Sequence, residues 1–142
     1  MATTFFINSS ELLTLSLLNN KNYFFSQEQM ANCIGCTQPN ISTVISSLID
    51  KGFVEVINGG YCVNQYLLIE ELVRYAKNHY NCNIVFYDKM LKLQGWFPEI
   101  YAFFCLYLRL FNIDYVITEC NSLSEICFVF SQGLLDLRNI DT

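Results

Sequence analysis

The spacing of apolar residues changes several times along this chain, and each change marks an element. Leu12, Leu13, Leu15, Leu17 and Leu18 form one apolar face. Before them, Asn8-Ser9-Ser10-Glu11 starts a helix, with Asn8 or Ser9 as cap and Glu11 near the positive end of its dipole. Phe5 and Phe6 supply apolar contacts at its start, and Asn19-Asn20-Lys21-Asn22 ends it. Ser26 and Gln29 have capping-box spacing and open a second, short helix that stops at Gly35. A third helix begins after Thr37, with Ile41, Val44, Ile45, Leu48 and Ile49 at helical spacing and Gly52 as its C-cap. The period then falls to two. Phe53-Val54-Glu55-Val56 alternates, Asn58-Gly59-Gly60 turns, and Tyr61-Cys62-Val63 returns as a hairpin.

The second half reads as mostly helical. Gln65 to Tyr80 predicts a fourth helix with Leu68, Leu72, Val73, Tyr75 and Ala76 inward and a Glu70–Arg74 pair outside. Ile84 to Leu93 is ambiguous in period and reads as a short helix. Gly95-Trp96-Phe97-Pro98 breaks the chain, and Glu99 to Phe111 is a strongly apolar helix with Pro98 at its first turn. Asp114 to Thr118 suits a strand or a loop. Ser122-Leu123-Ser124-Glu125 has the form of a capping box and opens a last helix to about Leu137. The expected fold class is mainly α, with residues 1–65 as one unit and residues 66–142 as a helical dimerisation or partner-binding region. No repeat, low-complexity tract or long linker interrupts it.

Gln27 to Ser46 carries the most specific pattern. Two short helices that cross steeply need a small residue at the crossing, and Ala31 stands there. The turn between them needs a residue that tolerates a left-handed backbone, and Gly35 follows four positions later. Met30, Ile34, Cys36, Ile41 and Val44 fill the inner positions. This is the pattern of a helix-turn-helix, and the hairpin after it makes a winged one. Thr37 to Ser42 and Leu48 to Val54 resemble the recognition helix and wing start of MarR-type regulators. Gly60 to Asn64 is also similar to the wing end of plasmid replication proteins with winged-helix domains. The resemblance covers about the first half of the chain and implies a third helix that enters the DNA major groove. Its reading residues would be Thr37, Gln38, Asn40, Thr43, Ser46 and Ser47, with Lys51 and the wing-tip Asn58 beside them. Asn and Gln pair with adenine, and Ser and Thr are tolerant readers.

Charge complicates that expectation. The net charge is −5, and residues 1–65 contain only Lys21 and Lys51 as bases, against Glu11, Glu28, Asp50 and Glu55. DNA binding draws much of its affinity from phosphate contacts. Neither the third helix nor the wing tip carries an Arg. A clustered Lys21, Lys51, Arg74 and Lys77 face would favour DNA, while a neutral or acidic third-helix surface favours a protein. The leading expectation is a homodimeric DNA-binding transcriptional regulator. The alternative is a winged helix that binds another regulatory protein, as antagonist or adaptor. A replication initiator is a third possibility.

The remaining chemistry is sparse. The seven cysteines sit mostly inside apolar runs and read as reduced, small, buried hydrophobes of a cytoplasmic protein. Met1-Ala2-Thr3-Thr4 lacks a basic n-region, and the longest apolar run is too short for a bilayer, so neither export nor a membrane partner is expected. Cys33 and Cys36 form a CxxC, and His79 with Cys82 an HxxC. A zinc or redox site can be written from these, but Cys36 falls at an inward position, and no metal or other cofactor is expected. No nucleophile-base set, phosphate loop or carboxylate pair appears, so no enzyme is expected. Trp96, Phe97, Tyr101, Phe103, Phe104, Tyr107 and Phe111 cover both sides of their helix. One chain of this size offers little to bury them, which points to a homodimer interface with Phe111, Val116 and the last helix, or to an aromatic ligand pocket.

Overall fold

The computed structural model describes residues 8–19, 26–35, 38–57, 60–87, 89–94, 98–119, 125–130 and 134. Its first half follows the predicted order: α1 (Ser9–Leu18), α2 (Gln27–Ile34), α3 (Gln38–Asp50), then an antiparallel hairpin of β1 (Val54–Ile57) and β2 (Gly60–Val63). Asn8 caps α1 by accepting from the Glu11 N–H at 2.9 Å. Ser26 and Gln29 close a full capping box on α2. Gly35 caps that helix at φ +83°, and Gly52 ends α3 at φ +86°, so both turns use the left-handed backbone that glycine tolerates best. Met30 and Ala31 of α2 pack on Ile41 and Ile45 of α3 in a small buried cluster. Phe5, Phe6, Lys21, Thr37, Asn58 and Gly59, and the side chains of Cys33, Ile34, Cys36 and Gln38, lie outside what is described.

The second half corrects the expected fold class. After α4 (Gln65–Tyr80), the chain forms β3 (Ile84–Tyr87), β4 (Met90–Gln94), α5 (Pro98–Leu110), β5 (Val116–Glu119) and β6 (Glu125–Val129). These strands make one antiparallel sheet in the order β3-β4-β6-β5. The protein is therefore an α/β mixture, and its second half is not a helical region.

Two misread segments explain the difference. Ile84 to Leu93 is a hairpin, with Tyr87 paired to Met90 and Ile84 to Leu93. Its period is two: Leu91 and Leu93 are buried, while Met90 and Lys92 are half-buried and Gln94 exposed. Glu125 to Val129 is the central strand β6, hydrogen-bonded to β4 on one side and β5 on the other. Ile126, Cys127 and Phe128 are all buried, so no alternation marks it as a strand. Ser122 to Ser124 lie outside the described residues, and Glu125, read as part of a helix start, begins this strand instead. Asp114 to Thr118 resolves in favour of a strand from Val116 onward.

The sheet also supplies the cover that α5 lacked in the sequence. Phe104 and Phe111 are fully buried, and Phe104 and Tyr101 both meet Phe128 of β6. The buried face of α5 packs inside its own chain, and Trp96 and Phe97 lie outside the described residues. One continuous core runs from Leu15, Leu48 and Val63 through Leu68 and Leu72 to Phe104 and Phe128.

A polar knot, buried at Asn19, joins the halves. Asn19 donates to the Phe111 carbonyl at 2.6 Å and accepts from Gln65 Nε2 at 2.7 Å. Asn112, at φ +56°, donates back to the Ser16 carbonyl at 2.7 Å. The end of α1 is thus tied to the start of α4 and to the turn after α5. Arg74 bonds Glu71, three residues before it.

Candidate recognition surface

The inner face of α3 is set by Ile41, Ile45 and Leu48, all buried. That choice fixes what the helix presents outward. Asn40, Ser42, Thr43, Ser46, Ile49 and Asp50 are exposed, and Ser47 and Val44 are half-buried at the margins. Of the expected reading residues, Asn40, Thr43 and Ser46 share the outward arc, and Ser47 is partly withdrawn. Thr37, Asn58 and the Gln38 side chain lie outside the described residues. Ser42 and Asp50 are exposed as well, and Ile49, which the sequence pattern placed on the apolar face of α3, is exposed too. The helical phase of Asp50, opposite Ile41, Ile45 and Leu48, was the available signal, whereas Ser42 and Ile49 flank that inner face.

Lys51 follows α3 directly, but its ammonium is occupied. It donates to both carboxylate oxygens of Glu11, at 2.9 and 2.7 Å. Glu11 Oε1 also accepts from Asn8 Nδ2 at 2.8 Å. The residue is 4 % exposed, so this carboxylate is one that burial would penalise without partners. The helix cap, the buried acid and the lysine beyond α3 therefore form one unit. Glu28, Asp50 and Glu55 are exposed. On the same N-terminal half, Leu13, Ile49 and Val56 keep 48, 38 and 58 % of their surface in solvent. Among the described residues, the exposed side chains of α3 are thus neutral apart from the acidic Asp50, with Ile49 as an apolar point.

The basic face imagined from Lys21, Lys51, Arg74 and Lys77 does not form as a set of open charges. Lys51 is held by Glu11 and Arg74 by Glu71, both from the same chain. Lys77 is exposed on α4, and Lys21 lies outside the described residues.

The cysteines divide. Cys62, Cys82 and Cys105 are free thiols. Cys127 is disulfide-bonded, which overturns the expectation of reduced thiols at that position. Cys82 directs its thiol at the Ala76 carbonyl, and burial pushes its pKa up. His79 stacks on Tyr75 with ring centres 5.3 Å apart. Among the described residues, no three His, Cys, Asp or Glu side chains converge on a metal-sized site. An open depression of about 440 Å³ lies beside Tyr80, Pro98, Glu99 and Ile100, and one of about 410 Å³ beside Arg109, Asn112 and Tyr115. No described helix is long and apolar enough to cross a membrane. Comparison with protein-family models, curated proteins and solved structures finds no match for this chain.

Proposed function

We propose that residues 8–63 form a winged helix whose α3 face docks on another protein, and that the chain acts as an interaction module, an antagonist or adaptor of a second regulator. The observation that carries this reading is the Lys51–Glu11 pair. The one described lysine of the N-terminal unit is committed to a buried carboxylate of its own chain. Among the described residues of α3, what remains outward is hydroxyl, amide, apolar and acidic. Such a surface suits a partner that is basic and partly apolar, with opposite potentials steering the encounter and Ile49 supplying an apolar contact. A basic nucleic-acid-binding face on the partner has that chemistry, which makes occlusion of such a face the natural form of antagonism.

DNA binding stands as the second reading, favoured by one specific observation. Asn40, Thr43 and Ser46 lie together on the outward arc of α3, and the first turn of α3 carries no acid. These groups suit base edges, and a helix start with no acid in its first turn suits a phosphate.

Selection from a random duplex library at two salt concentrations separates the two. The protein reading expects no enriched sequence even at low salt. Enrichment of a discrete palindromic site overturns it in favour of DNA, and the small positive charge then requires a shallow salt slope.

A further inference from the structure

Among the described residues, the sheet ends on β5 with an open edge. Among the described residues β5 pairs with β6 on one side and with no strand on the other. Edge strands in natural proteins are commonly blunted by lysine, proline, a bulge or a covering segment, because an open row of N–H and C=O groups recruits another strand. β5 reads Val116-Ile117-Thr118-Glu119, with no lysine and no proline. Val116 is 57 % and Ile117 37 % exposed, and Thr118 is exposed as well. On the face away from the helices, the register sets Tyr87, Met90, Val129 and Val116 in one row across all four strands. That apolar row runs out to the β5 edge without a break.

We infer that β5 is a homodimer interface, formed by antiparallel pairing with β5 of a second copy. The occupant follows from the edge itself. An extended strand is what the open backbone row accepts, and β5 is its own complement. A two-fold axis at Ile117 places Ile117 against Ile117, Val116 against Thr118 and Tyr115 against Glu119. No like charges then face each other within the strand, despite the acidic chain. The pairing joins two four-stranded sheets into one of eight, and an isologous contact of this kind closes at two copies. Four residues per copy bury less than a standard interface of roughly 1,200–2,000 Å², so the dimer is weak and dependent on concentration. This inference does not rest on the partner assigned to α3.

The test is sedimentation equilibrium of the full chain from about 1 µM to about 1 mM. The expected result is a reversible monomer–dimer equilibrium. Ile117→Lys and Ile117→Glu each set like charges against each other across the axis. Each alone is expected to weaken dimerisation by at least about tenfold, and mixing the two restores it. Circular dichroism checks that they fold. The double variant Val116→Lys with Thr118→Lys, at two solvent-facing positions, carries the test if position 117 does not tolerate charge. A chain that stays monomeric throughout, or a dimer indifferent to all these variants, overturns the inference. So does a failure of the mixed Lys and Glu variants to re-associate.

Discussion

Lys51 closes on Glu11 across forty positions of sequence, donating to both oxygens of a carboxylate that is almost fully buried. The pair links the start of α1 to the end of α3 and removes a positive charge from the surface where a nucleic-acid binder would use it. Among the described residues, Lys51→Ala leaves the acid with only its Asn8 partner. It is expected to lower stability by about 1–3 kcal/mol, read as a lower urea midpoint at unchanged m-value. Glu11→Gln keeps a side-chain acceptor and is expected to cost less.

The Asn19 knot makes a second prediction. Asn19→Ala strips the buried Phe111 carbonyl and the Gln65 amide of a partner. A loss of about 1–3 kcal/mol follows from leaving buried polar groups unpaired. In a double-mutant cycle, Asn19→Ala and Gln65→Ala should be non-additive, because they share one hydrogen bond. Strict additivity would place the two side chains in separate environments.

Much of the first half was legible because its punctuation is local. Ser26 with Gln29, Gly35 and Gly52 are cap signals that act within a few residues, and each stands where the pattern put it. The second half depends on pairing between distant segments. β6 has no alternation to read, since it is covered on both faces, and its preceding Ser-x-x-Glu imitates a helix start. Ile84 to Leu93 offered β-branched and aromatic residues, yet the short apolar run matched either period. The candidate surface was half legible: the phase of α3 predicts Asn40, Thr43 and Ser46 outside, but nothing local predicts that Lys51 turns to Glu11.

The corrected sheet gives its own test. Leu91 and Phe128 are paired across β4 and β6 and are both fully buried. Phe128→Ala should cost about 3–5 kcal/mol through the cavity it leaves under α5. Amide exchange should show strongly protected N–H groups through Leu91–Leu93 and Ile126–Phe128. Fast exchange at those positions would contradict the central strands.

Alkaline stability follows from the tyrosines around α5. Burial raises the pKa of Tyr107, with Tyr75 adding to the shift, and burial likewise raises that of Tyr80. A phenol that resists ionisation in the folded state stabilises it below the unfolded pKa of about 10 and withdraws that support as pH climbs through the raised folded value. The melting temperature should hold to about pH 9 and then fall, less steeply in Tyr107→Phe.

The oxidation state of Cys127 is open to direct chemistry. Alkylation of the denatured, unreduced chain should label Cys62, Cys82 and Cys105 and spare Cys127, which reacts only after reduction. Labelling of Cys127 without reductant would remove the disulfide from the account.

The central claim concerns what covers α3, and a photo-crosslinking amino acid in place of Ser46 reports it most directly. Ser46 is exposed on the outward arc, so the substitution leaves the core intact. Irradiation in the source cell should yield a discrete adduct that survives nuclease and is destroyed by protease, with the same probe in place of exposed Asn78 on α4 giving none. An adduct digested by nuclease would contradict the account and assign the α3 surface to DNA.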